Sequence, residues 1–173
     1  LASITEDLDS SPGDLISSQT TFAQYFEEED EWVGNLDIFN NQSMYQTKLA
    51  NNLNFILIGL EVLPDTNLIS YNEGWTWIAY SHSSILDIGT ALSNMNVENY
   101  DLMRGQYGFA QYADGIGWIG DLTHLYPGQG YMLNSASSGS FTYPTNDIDL
   151  LARSFSVKDY KFDQKMNLFS SVE

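Results

Sequence analysis

Apolar and polar positions alternate with a period of two along most of this chain, and the apolar ones are often aromatic or β-branched. "GWTWIAY" (Gly74–Tyr80) is a strand by both period and propensity. The period then changes. "SSILDIGTALSNM" sets Ile85, Ile88, Leu92 and Met95 on one face at helical spacing, with Ser84 and Asp87 placed as a capping box. Alternation returns in "YDLMRGQYGFAQYA", in "GWIGDLTHLY", in "YMLNSA" and in "SFTYP". The joints between them read D-G, P-G and S-G, which are turn signals because glycine accepts positive φ and proline fixes its own. The unit predicted is one strand, one short helix and about four antiparallel strands.

The chain writes this unit twice. With Asp14 set on Asp101, Leu15 meets Leu102, Gln19 meets Gln106, and Phe22-Ala23-Gln24-Tyr25 meets Phe109-Ala110-Gln111-Tyr112. After one dropped residue, Trp32 meets Trp118, Gly34 meets Gly120, Leu36 meets Leu122 and Tyr45 meets Tyr131. A fixed period of this kind is the signature of a tandem repeat. The fold class expected is α+β, β-dominated: two tandem modules of antiparallel β meander with one short helix each. The first module spans 1–60 and lacks its first strand, which leaves a sheet edge without a partner. Its helix falls on "LASITEDL", with Ile4 and Leu8 on the apolar face. The second module spans 70–145 and is complete. The tail, 150–173, also alternates; it either fills the empty edge or, the reading preferred, begins a further module.

Composition narrows the function. Among 173 residues there are 23 Asp plus Glu against 6 Lys plus Arg, a net charge of −17. Such a field repels phosphate backbones, so nucleic acid is excluded as a partner, and anionic membrane surfaces are disfavoured. With 43% hydrophobic and 14% aromatic residues, the acidity belongs to a folded protein and not to a disordered tail. The absence of cysteine removes disulfides, thiolate metal sites and cysteine nucleophiles together. No apolar run has membrane-spanning length, so no insertion is expected. No signal-peptide pattern opens the chain, and Leu1 reads as a cut inside a longer protein.

Candidate chemistry is sparse. No H-E-x-x-H, G-x-S-x-G or phosphate-binding loop is present. His82 and His124 are isolated, and Ile38 stands where copy two has His124. Asp14 and Asp101 recur in both copies, which marks them as structural, each bonding nearby backbone N–H groups. A hydrolase would need paired carboxylates across a cleft, for which Glu73, Asp114 and Asp121 are the available groups. The run Glu27, Glu28, Glu29, Asp30 and Glu31 is a candidate cation site. It lacks the ligand spacing of a preorganised calcium loop, so weak Ca²⁺ screening is the expectation, with no other cofactor. Phe109 and Trp118, matched by Phe22 and Trp32, are expected in the core. Aromatics present in the second copy but not the first, Trp75, Tyr107 and Tyr126, are the candidate ligand-binding residues, with carbohydrate the ligand.

The second copy and the tail resemble a repeat of large secreted and cell-surface proteins of Bacteroidetes, especially flavobacteria. The resemblance is carried by "EGWTWIAY", "ALSNMNVENYDLMRGQYGFAQY", "GWIGDLTHLYPGQGYM" and "SGSFTYP", and by "SFSVKDYKFDQKMNLFSSVE" in the tail. The first copy departs from it, with "NNQSMY" in place of "PGQGY" and "EEEDE" in its hairpin loop. The resemblance implies cargo of the type IX secretion route, often long arrays serving adhesion, gliding or attachment to polysaccharide. It transfers no catalytic residues. The function expected is a non-catalytic structural or adhesive repeat module, secreted or on the cell surface. Its partners would be neighbouring modules of the same chain and a surface polysaccharide. The alternative is an accessory carbohydrate-binding module of a secreted polysaccharide-degrading enzyme.

Overall fold

A computed structural model describes residues 10–28, 30–51, 56–57, 62–145 and 160–161. The first copy folds as β1 (Leu15–Ser17), β2 (Phe22–Phe26), β3 (Glu31–Gly34) and β4 (Gln46–Lys48), an antiparallel sheet in the order β3-β2-β1-β4. The second copy contributes β6 (Ile69–Tyr71), β7 (Gly74–Ala79), β8 (Leu86–Asp87), α1 (Ile88–Ala91), β9 (Leu102–Arg104), β10 (Phe109–Ala113), β11 (Gly117–Gly120), β12 (His124–Leu125), β13 (Gly130–Ser135) and β14 (Gly139–Phe141). Its main sheet runs β11-β10-β9-β13-β7, and β12 pairs with β8 and β14 with β6. The protein is β-dominated, with antiparallel sheets and one short helix described. In the second copy β9, β10 and β11 follow a simple meander, as β1, β2 and β3 do in the first; β13 returns to the far side of β9 and brings β7 onto the edge.

Strand order and register are the same in both copies. Leu15 faces Gln24 as Leu102 faces Gln111, Ala23 faces Gly34 as Ala110 faces Gly120, and Leu15 faces Lys48 as Leu102 faces Asn134. The dropped residue lies in the β2–β3 turn, outside the ladder. Gly34 and Gly120 are required by close approach: a β-carbon at either would run into the carbonyl of Phe22 or Phe109 across the ladder.

The larger core gathers Ile69, Ile78, Leu92, Met103, Leu125, Leu133 and Tyr143, with Trp118 and Leu122 packed against it. The smaller holds Ile16, Ala23 and Leu36, flanked by Trp32, Phe39 and Tyr45. Two sequence expectations are corrected. Phe22 and Phe109 are not core; they are 49% and 52% exposed, while Ala23 and Ala110 are buried. Side chains alternate across a strand, so the shared F-A pair sends its smaller member inward. Trp32 and Trp118 are partly buried and occupy matching places, opposite Tyr25 and Tyr112.

The helix is also shorter than its periodicity suggests. Leu86 and Asp87 pair with His124 and Leu125, which draws them into a ladder and leaves α1 a single turn. Asp87, not Ser84, is the N-cap, accepting the N–H of Thr90 at 2.9 Å. Ser84 donates its N–H to Nδ1 of His82 instead, and Ile85 is 55% exposed. The expected helix of the first copy lies outside the described residues. Of the tail, the described pair Tyr160–Lys161 (β15) runs antiparallel to Ile56–Leu57 (β5); the rest lies outside them too.

The two copies meet at β7. One edge of that strand pairs with β13; the other is held by the first copy. Gln19, in the β1–β2 turn, donates its side-chain amide to the carbonyl of Trp75 at 2.7 Å and accepts the N–H of Trp77 at 2.9 Å. It stands in for a peptide group of a neighbouring strand. The chain at Gln42–Met44 continues the ladder: Met44 donates its N–H to Trp77 at 3.4 Å, and Ala79 donates to Gln42 at 3.0 Å. Met44 is buried and packs over Gly130, where a β-carbon would collide with it.

Candidate functional site

A groove of about 710 Å³ opens between α1, with the turn after it, and the β10–β11 hairpin. Tyr112 and Trp118 line one wall, their rings 5.7 Å apart and edge to face. Asp87, Ser93 and Asn96 stand on the other, with Leu92, Val97 and Leu122 in its lining. The local sequence explains this shape. Period two along β10 and β11 puts Tyr112 and Trp118 directly opposite each other, and the one-turn helix ends in a tight run at Ser93–Met95 that leaves space beside them.

The electrostatics of the groove are those of a fixed anion. The hydroxyl and backbone N–H of Thr90 bond the Asp87 carboxylate and hold it below the usual carboxylate range. A group held this way is a poor general acid near neutral pH. An aromatic pair beside an anionic cap and an amide suits binding of a polar, ring-shaped ligand better than bond cleavage.

The expected ligand-binding residues are not in this groove. Trp75 is on β7 at the junction between the copies, 43% exposed, with its carbonyl already taken by Gln19. Tyr107 is in the β9–β10 turn and Tyr126 follows β12, 84% and 49% exposed. Tyr126 is tied to Tyr131, which reaches the β9–β10 turn at Gly105. The Tyr131 hydroxyl accepts the N–H of Tyr126 at 2.9 Å, and its ring lies against Gly105. Burial pushes that phenol up to about 12. Sequence reasoning misses the groove because Trp118 recurs as Trp32 and is therefore expected in the core, and Tyr112 recurs as Tyr25, which leaves it outside the set present in the second copy alone. The signal available was the turn D-G-I-G beside Trp118, whose Ile116 and Gly117 also line the groove.

The acidic loop is the β2–β3 turn. Glu27, Glu28 and Asp30 are exposed there, and Glu29 lies outside the described residues. Asp30 takes a left-handed conformation, φ 52°, and accepts the Tyr25 hydroxyl at 2.6 Å. That bond holds the Tyr25 phenol above its ordinary pKa. Among the described residues no group of three or more His, Cys, Asp or Glu is arranged to hold a metal ion. Nor, among them, is any helix long and apolar enough to cross a membrane.

The repeated aspartates have a clear task. Asp14 accepts the N–H groups of Ser11 at 2.9 Å and Ala50 at 2.7 Å; Asp101 accepts those of Glu98 at 2.9 Å and Ala136 at 2.8 Å. Each ties the start of its sheet to the segment that follows the returning strand. Glu73, Asp114 and Asp121 do not line the groove, and Asp121 accepts the N–H of Phe109 at 2.8 Å. No protein-family model matches the chain, and no curated protein or solved structure matches it either.

Proposed function

We propose that this chain is a non-catalytic structural and adhesive repeat module of a secreted or cell-surface bacterial protein, which presents neighbouring modules or attaches to surfaces. The observation that carries this reading is the junction at β7. Two copies of one sheet are joined by main-chain edges and by a glutamine acting as a peptide, the way a building block is joined to its neighbour. The shared carboxylates support it as well, since Asp14 and Asp101 are occupied with backbone N–H groups. The sequence resemblance supplies the cell-surface setting.

A second reading is favoured by one feature. The groove with Tyr112, Trp118, Asp87 and Asn96 has the makings of a sugar site, which would make the chain an accessory carbohydrate-binding module. Glycan-array binding of the purified chain separates the two. The structural and adhesive reading expects no glycan binding that depends on any one of the aromatic side chains Trp75, Tyr107, Trp118 and Tyr126. Specific binding abolished by Trp118→Ala, or by Trp75→Ala, Tyr107→Ala or Tyr126→Ala, would overturn it in favour of the second. Turnover of a polysaccharide, lost on one carboxylate-to-amide change, would overturn both.

A further inference from the structure

The second copy carries the same gripping face that the first applies to β7. Gln106 stands in the β9–β10 turn where Gln19 stands in the β1–β2 turn, and Gly128–Gly130 takes the place of Gln42–Met44. The turns differ, Gly128 taking φ 76° where Gln42 has no positive φ, but one tyrosine brace is shared. Asn40 donates its N–H to the Tyr45 hydroxyl and Tyr126 donates its own to that of Tyr131, both at 2.9 Å. Tyr80 donates its N–H to Gln129 at 3.0 Å, so the alternation of an antiparallel ladder turns the N–H of Gly130 away from β7. It is therefore placed as the N–H of Met44 is in the first copy. Among the described residues, no group bonds the Gln106 amide.

The chemistry of this face differs from that of the rest of the surface. Gly105–Gly108 and Leu125–Met132 carry no charged side chain, in a chain of net charge −17. Where the first copy has Thr20 and Asn40, the second has Tyr107 and Tyr126, both well exposed. The β7 stretch from Gly74 to Tyr80 is uncharged too, so seating one on the other opposes no carboxylates.

The geometry points to this face as a docking site for the open edge of a strand of the Gly74–Ala79 kind, carried by another copy of the module. The Gln106 amide takes a carbonyl and the N–H two residues further on, and the Gly130 N–H extends the ladder, a form of strand addition. The chain's own β7 is already held by its first copy, so the occupant is a further copy whose strand edge is open. Gly130 replaces the Met44 knob, and the tyrosines supply the apolar contact in its place. The inference rests on the repeat geometry alone and stands or falls apart from the attachment role.

The test uses the full chain, isotope-labelled for NMR, and a synthetic peptide of residues 72–81, NEGWTWIAYS. Saturable shifts are expected at the Gln106 side-chain amide and the Gly130 N–H. Gln106→Ala, or N-methylation of the peptide at the position of Trp77, should weaken binding roughly five-fold or more, the loss of hydrogen bonds that nothing replaces. Gln106→Asn, which keeps the amide but shortens its reach, should fall with Ala. No shift at millimolar peptide, shifts confined to Gln19, or equal binding by wild type and Gln106→Ala would each overturn the proposal.

Discussion

Asp14 and Asp101 make the same pair of hydrogen bonds in the two copies. Each is fully buried, and each accepts one N–H three residues upstream and one from the segment beyond the returning strand. A buried carboxylate with two such donors is worth more as a brace than a neutral residue, because charge-assisted bonds are stronger and the N–H groups left behind are costly. Asp101→Ala should therefore destabilise the fold by about 3 kcal/mol, and Asp101→Asn by less, measured as the shift of a chemical denaturation curve. A loss below about 1 kcal/mol for the alanine variant would show that the brace is dispensable.

The aromatic positions give a contrast on one hairpin. Trp118 packs against the core while Phe109 faces out. Trp118→Ala should cost about 3 kcal/mol and Phe109→Ala about 1 kcal/mol or less, in keeping with the burial of each. Equal losses in thermal or urea unfolding would contradict the facing assigned to β10.

Alkaline pH should weaken the fold. The Tyr143 phenol is fully buried and donates to the carbonyl of Ala79 at 3.0 Å; burial raises its pKa far above the ordinary value, and raises that of Tyr131 to about 12. A pKa raised in the folded state means stability that is whole below the unfolded value near 10 and declines as pH climbs from there through the folded value. In an ultraviolet titration, Tyr131 and Tyr143 should remain largely protonated at pH 11 while the protein is folded. All tyrosines titrating together below pH 11 in a protein still folded would contradict this.

Much of this was legible in the sequence, in a particular way. Identity at matching positions reported the register: Leu102 opposite Gln111 and Ala110 opposite Gly120 follow once Leu15, Gln24, Ala23 and Gly34 are aligned. It did not report burial. The shared F-A-Q-Y says nothing about which face meets the core, and the larger residue proved to be outside. The helix was overread because the pairing of Leu86–Asp87 with His124–Leu125 is non-local, and a periodicity window contains no partner strand. Gln19 was visible as a repeated residue, but its role depends on β7, 56 residues further along the chain.

The grip of the first copy on β7 is what joins the two copies, and amide hydrogen exchange reads it directly. The N–H of Trp77 donates to Gln19 and that of Ala79 to Gln42, whereas ladder alternation turns the N–H of Ile78 toward β13. All three should be protected in the intact chain. Gln19→Ala should speed exchange at Trp77 by about two- to ten-fold, one net hydrogen bond's worth, and leave Ile78 unchanged. Exchange at Trp77 and Ala79 as fast as in an unstructured peptide, with Ile78 still protected, would mean that the edge of β7 is open and the two copies are not joined there.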